Sequence, residues 1–256
     1  MEETIFYKKV GSGPAVIMLH GFPMNSSIWD EFAGRLAEEY TVFTPDLPGF
    51  GKSPLLSGNF SISDVASVMN KWVSDHQISS PALIGHSMGG YVALEMVRQS
   101  PLSYSGLGLF HSTALADSEE KKESRTKVLQ FIDDNGVLAF TSNFIQPLFA
   151  DQSHPAVDSV RDITIQSSAE AVKGYTRAMR DRENNTDILS AFGGPMLIIG
   201  GDADKGIPAD SLNKQGALGK NISVHILAST GHMGMAEKPE ETLDIVREFL
   251  RKIDQP

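Results

Sequence analysis

Short apolar runs alternating with longer amphipathic segments constrain this chain more than any other feature. "AVIMLH" (Ala15 to His20) is short enough to be a strand buried on both faces, and "YTVFTPD", "PALIGH", "YSGLGLFH", "PMLIIGG" and "ISVHILAST" also read as strands. Between them, "SSIWDEFAGRLAEEY" places Ile28, Phe32, Ala33 and Leu36 on one helical stripe behind capping serines. "SISDVASVMNKWVSDH" does the same with Ile62, Val65, Val68, Met69 and Trp72. "GGYVALEMVRQS" is a further helix ended by Pro101, and "KPEETLDIVREFLRKI" is a terminal one with Pro239 near its first turn. This alternation predicts a parallel sheet with crossover helices. "TIFYKKV" followed by "GSGP" reads as an edge strand and turn, so a hairpin is expected to open the sheet.

The rhythm breaks between about residues 112 and 192, where helical patterns occur with no clear strand among them. "EEKKESRTKVLQFIDDNGVLAFTSNFIQPLFA" carries Val128, Leu129, Ile132, Leu138, Phe140, Phe144, Ile145, Leu148 and Phe149, more apolar side chains than a solvated helix needs. An all-helical insertion packed over another surface is expected. At 256 residues the chain is long enough for a large core with a pocket.

Composition narrows the partners. Twenty-two basic against 32 acidic residues give a net charge of -10, the wrong sign for following a phosphate backbone or an anionic membrane surface. Neither nucleic acid nor a membrane is therefore expected as a partner. The chain has no cysteine, which removes disulfides, thiolate chemistry and sulfur-ligated metals. No apolar run approaches the ~18 residues of a membrane span, and no signal-peptide pattern is present. These features together predict a soluble, cytoplasmic protein.

"GHSMG" (Gly85 to Gly89) fits G-x-S-x-G and lies where a strand pattern gives way to a helix pattern, the setting of a nucleophile elbow. Such a serine takes a strained backbone angle to project its hydroxyl above the sheet, and its neighbours must lack bulk. Gly85, Gly89 and Gly90 supply that room. The simpler alternative is that Ser87 only caps the helix.

A nucleophilic serine needs a base, commonly a histidine oriented by a carboxylate. Of seven histidines, His232 in "STGHMGMAEKPE" has the best placement, in a loop between the last strand and the terminal helix. Loops at the carboxyl ends of parallel strands converge on one face, which brings His232 toward Ser87. His111, at a strand end, is a candidate for the pocket wall. "GGDADKGIP" offers Asp202 and Asp204 as the acid, and the residues alone leave both open. Two backbone amides are candidates for holding an oxyanion: Met88, after the serine, and Phe22, in the loop "HGFPMN" after another strand.

The motifs "HGFP", "DLPGFGKS", "GHSMGG", "GGDAD" and "GHMGMAEKPE", in that order, make the chain resemble the α/β-hydrolase superfamily over essentially its whole length. The resemblance implies an α/β fold with a mostly parallel eight-stranded sheet flanked by helices. It also implies a helical cap at residues 112–191, inserted after the sixth strand into a core of residues 1–111 and 192–256. Ser87 would be the nucleophile, His232 the base and Asp204 the acid, with no catalytic role for Asp46. The cap opening "HSTALADSEEKKESR" resembles those of small esterases, enol-lactone hydrolases and cofactor-free haloperoxidase-like relatives.

The expected function is a cofactor-independent serine hydrolase, with no metal, that cleaves a small to medium carboxylic ester or lactone through an acyl-enzyme. Phe131, Leu138, Phe140, Phe144, Leu148 and Phe149 are candidates for an apolar pocket, with helix-packing core as the commoner role of such residues; Arg125, Arg177 or Arg180 would suit a carboxylate on the substrate, with surface solvation as the leading reading of each. The same triad serves carbon–carbon hydrolysis of diketones, thioester cleavage or perhydrolysis. A ligand receptor that turns over slowly is the alternative from a different class.

Overall fold

A computed structural model describes residues 4–253. In chain order, strands β1 (Tyr7–Val10), β2 (Ala15–Leu19) and β3 (Thr41–Pro45) flank a 3-10 turn at Ser26–Trp29 and helix α1 (Asp30–Leu36). Then come α2 (Ile62–Asp75), β4 (Ala82–His86), α3 (Met88–Gln99) and β5 (Gly106–Phe110). A wholly helical stretch follows: α4 (Glu119–Asn135), α5 (Val137–Phe144), a 3-10 turn at Gln146–Leu148, α6 (Ala156–Thr164), α7 (Ala169–Arg180) and α8 (Thr186–Ala191). The sheet resumes with β6 (Met196–Gly201), α9 (Ala209–Gly216), β7 (Ile222–Leu227), α10 (Gly234–Glu237) and α11 (Pro239–Ile253).

The described residues form a seven-stranded sheet in the order β1-β3-β2-β4-β5-β6-β7. Every neighbouring pair is parallel except β1 with β3. Three expectations are corrected here. The sheet has seven strands rather than eight, and the helical insertion follows the fifth strand rather than the sixth. The opening hairpin does not form either, because β3 lies between β1 and β2. Its first residue holds the intended turn, with Thr41 N–H donating to Pro14 O at 2.9 Å and Thr41 Oγ1 to Gly13 O at 2.9 Å.

Alternate residues of the central strands feed two separate cores, as two-sided burial requires. Ile17, Leu19, Leu83 and Leu109 pack with the buried faces of α2 and α3. Val16, Met18, Ile84 and Phe110 pack with Trp29, Phe32 and Leu36 and with Val246, Phe249 and Leu250 of α11. The register aligns Leu19 with Gly85 and His86 with Phe110, so the strands end near one level. The chain runs from β2 to β3 on one side and then returns to β4 on the other. The crevice between β2 and β4 is thus the switch point where ligands bind in open α/β sheets.

The turn "DLPGFGKS" closes beside this crevice around buried Asp46. Its carboxylate accepts from Ser26 N–H and Lys52 N–H, each at 2.8 Å. Gly51 has φ +54, and a Cβ there would lie 2.1 Å from Asp46 Oδ2, so the turn tolerates only glycine at that point. Asp46 is a structural tie, and Asp46→Ala should lower unfolding free energy by about 2–4 kcal/mol in urea denaturation. An unchanged midpoint would show that the tie contributes nothing.

Candidate active site

Ser87 sits at the carboxyl end of β4, the middle strand of the sheet, with φ 51 and ψ -116. A non-glycine residue in that region is strained, and its neighbours hold it there: Ser87 N–H donates to Phe110 O at 2.9 Å, and Ser112 Oγ donates to Ser87 O at 2.7 Å. The side chain makes no capping bond to α3, which removes the reading of Ser87 as a helix cap. Close crossing of helix and strand accounts for the glycines. A Cβ at Gly85 would lie 2.3 Å from Gly89 O, and one at Gly89 would lie 2.6 Å from Leu19 O.

His232 lies in the loop after β7, and its Nδ1 is 2.7 Å from Asp204 Oδ2. Asp204 follows β6 and is itself buried, with Oδ1 accepting from Gly206 N–H at 2.8 Å and Ile207 N–H at 3.1 Å. Asp202, the other candidate acid, is exposed and accepts from Thr230 N–H at 3.3 Å, so it braces the loop instead. Burial pushes the Asp204 carboxyl up, but the charges and hydrogen bonds of His232 and His111 outweigh it and hold the group far below the usual carboxylate range.

His111 is fully buried behind this pair, with Nδ1 3.3 Å from Asp204 Oδ2, rather than on the pocket wall as expected. Burial lowers its basicity despite the neighbouring carboxylate. His86, also buried, is held further down by burial and by the two neighbouring histidines. Its Nε2–H donates to His232 O at 3.0 Å, a tautomer assigned from that bond.

His111, Asp204 and His232 bring three ligating atoms within 4.8 Å of one another. Ligands around one tetrahedral zinc lie roughly 3.3 Å apart. The 2.7 Å contact between His232 and Asp204 is a hydrogen bond, and the second Asp204 oxygen is committed to amides.

Ser87 and His232 line one cavity of about 240 Å³. Larger hollows of about 400 and about 490 Å³ hold neither residue, so the side chains rather than the size identify this site. Phe22, Phe144 and Leu148 form part of its apolar wall. Phe140 is set back, packing on Phe22 and Phe144 with centroids 6.3 and 5.2 Å away. Phe131 and Leu138 are exposed, and Phe149 stacks on His154, so these three are not on the wall either. The amides of Phe22 and Met88 have no acceptor among the described residues, and Met88 opens α3, where first-turn amides lack helical partners.

Several wall residues escape the motif reading. Tyr91 is one helical turn beyond Ser87, and Ile207 is three residues past Asp204, spacings that would have found them. Met179, Val128, Ser124 and Lys121 come from the helical insertion, where only the fold shows which face is inward.

A serine on a sharp strand-to-helix turn, sharing a cavity with a loop histidine tied to a loop aspartate above a mostly parallel sheet, defines the α/β-hydrolase class of architecture. The chain belongs to the alpha/beta hydrolase family, whose pattern matches residues 16–245. Among solved structures it is similar to a thermophilic esterase from Thermogutta terrifontis, at 27% identity and a TM-score of 0.92, covering 98% of this chain and 94% of that one. It is 26% identical to the pimeloyl-[acyl-carrier protein] methyl ester esterase of Pseudoalteromonas atlantica, over 98% of this chain and 100% of that protein. An uncharacterized protein of Mycobacterium bovis is 36% identical over 95 residues, but the match spans only 28% of its length.

Glu237 holds the histidine loop from below. Its carboxylate accepts from Gly231 N–H at 3.0 Å, Met233 N–H at 3.1 Å and Ala150 N–H at 2.8 Å. In Glu237→Ala the Gly231 and Met233 amides should exchange with deuterium at least about tenfold faster, read by NMR. Unchanged protection would show that the loop is held by other contacts.

Proposed function

We propose that this protein is a serine hydrolase that cleaves a small to medium carboxylic ester or lactone. The observation that carries the proposal is one constellation: strained Ser87, free of any capping bond, shares a cavity wall with His232, which is hydrogen-bonded to Asp204. In this reading Nδ1–H of His232 points at Asp204, and Nε2 is the nitrogen left to take the Ser87 proton.

Ser87 Oγ attacks the substrate carbonyl as His232 removes its proton, and the amides of Phe22 and Met88 stabilise the oxyanion. Collapse expels the alcohol, which takes the proton from His232 and leaves the acyl group on Ser87. Water then attacks the acyl carbon with His232 as base, releasing the carboxylic acid and restoring Ser87. Asp204 stays ionised and stabilises the imidazolium in both halves. Side chains, amides and water suffice for this scheme.

Residues 112–191 act as a cap in this reading. Phe144 and Leu148 press apolar surface onto the cavity from that segment. The full-length similarity to a methyl ester esterase favours carboxylic esters over diketones, thioesters or peracids. We assign the protein to the cytoplasm on its sequence; among the described residues no helix is long and apolar enough to cross a membrane.

The test is hydrolysis of p-nitrophenyl esters from acetate to decanoate. Ser87→Ala should abolish turnover, Asp204→Asn should lower kcat by about 10⁴-fold, and Asp202→Asn should stay near wild type. Folded wild type no more active than Ser87→Ala would overturn the ester reading in favour of diketone hydrolysis. Saturable ligand binding without turnover would favour the receptor.

A further inference from the structure

The cavity holding Ser87 and His232 has two cations on its wall that the hydrolysis scheme does not use. Lys121, Ser124, Arg125 and Val128 all line it. Their spacing of i, i+3, i+4 and i+7 puts one continuous face of α4 on the cavity.

Arg125 is fixed from behind. Its Nε donates to Asp117 Oδ2, and Asp117, fully buried at its side chain, gives its other oxygen to Arg182 Nη1 at 2.6 Å. Burial pushes the Asp117 carboxyl up, and the two guanidiniums more than reverse this, keeping it ionised. Arg182 is spent on structure: its Nη groups also bond Met179 O and Leu115 O, each at 2.8 Å, and its guanidinium stacks 4.0 Å over the Tyr91 ring.

Two guanidiniums thus share one carboxylate, which leaves one positive charge in excess. Neither Nη of Arg125 has a hydrogen-bond partner among the described residues, and neither is sealed from solvent. Lys121 adds a second charge, since its Nζ donates to a neutral carbonyl, Gly206 O, at 3.0 Å and to no carboxylate among the described residues. In a chain of net charge -10, two uncompensated cations on one wall of an otherwise apolar cavity are a local exception.

Resting on the hydrolase reading, we propose that the substrate is an ester or lactone bearing a free carboxylate, bound by the Arg125 fork with Lys121 beside it. A planar guanidinium held at Nε presents its Nη pair as a two-pronged donor that matches a carboxylate. The apolar wall of Phe22, Phe144 and Leu148 takes the carbon chain between this anchor and the reacting carbonyl. The cavity of about 240 Å³ sets that chain at a few carbons.

The experiment compares mono-p-nitrophenyl glutarate with p-nitrophenyl valerate, two five-carbon acyl groups that differ by an ω-carboxylate. In wild type, kcat/KM should favour the glutarate ester by about tenfold or more, chiefly through KM, and the ratio should shrink with added salt. Arg125→Met should bring the ratio near one, and Arg125→Lys should recover part of it, because it keeps the charge and loses the fork. The ratio within each variant removes any general loss of folded enzyme.

A wild-type ratio of one or less, with Ser87-dependent hydrolysis intact, would overturn the carboxylate site and leave the hydrolase reading standing. If neither ester is cleaved, the hydrolase reading fails, and calorimetric titration with glutarate decides the site alone. Binding weakened about tenfold by Arg125→Met upholds it, and no binding to wild type overturns it. Inorganic phosphate binding more tightly than glutarate would overturn carboxylate as the ligand class.

Discussion

The close crossing of α3 over the ends of β2 and β4 is the constraint on which the site depends. Gly85 and Gly89 let helix and strands approach so closely that a Cβ at either would lie 2.3–2.6 Å from backbone oxygen, and Gly90 leaves room for Ser112, whose Oγ a Cβ there would meet at 2.2 Å. That approach forces Ser87 into a left-handed turn, and the turn lifts its hydroxyl away from the helix it would otherwise cap. The same crossing fixes the neighbours: Phe110 O takes the Ser87 amide, and Ser112 holds its carbonyl. Strain of about 1–3 kcal/mol at one residue is therefore held by packing on both sides of the middle strand.

A second constraint is how an ionised carboxylate survives burial. Asp204 has two amides on one oxygen and two imidazoles at the other, and the charges and hydrogen bonds of those imidazoles offset its desolvation. His111 and His86 are themselves buried and weakly basic, which keeps positive charge from accumulating behind the site. His232, alone among the three, borders the cavity, and it is the one assigned to proton transfer.

The sequence made the central strands and the serine turn legible because both are local signals. Apolar runs mark β2, β4, β5 and β6, and the glycine pattern marks the elbow. Strand neighbours are not local: nothing in "TIFYKKVGSGPAVIMLH" shows that Thr41 will bond the turn and separate β1 from β2. Asp202 and Asp204 are also indistinguishable by composition, and only the family pattern separated them; the structure separates them by burial and by reach to His232. Apolar content in the insertion predicted burial correctly for Ile132, Ile145 and Phe149, but it did not foresee the exposure of Phe131 and Leu138. Which face of such a helix turns inward is decided by what it packs on.

The helical insertion is tied to the loops it covers, so the wall of the cavity and the loops of His232 and Asp204 are one connected structure. His232 N–H donates to Leu148 O at 2.6 Å, and Ala150 N–H reaches the same Glu237 carboxylate that holds the histidine loop. Lys121 Nζ bonds Gly206 O, in the loop of Asp204. At the far end, Asn185 donates to Glu95 at 2.8 Å and accepts from Arg98, seating α8 on α3 instead of over the cavity. The insertion is thus fastened to the acid loop, the base loop and the helix that follows the serine. A change in the insertion that moves Leu148 or Lys121 therefore acts on the loops of His232 and Asp204 as directly as on the cavity wall, and under the proposed mechanism specificity and the triad cannot be altered there independently.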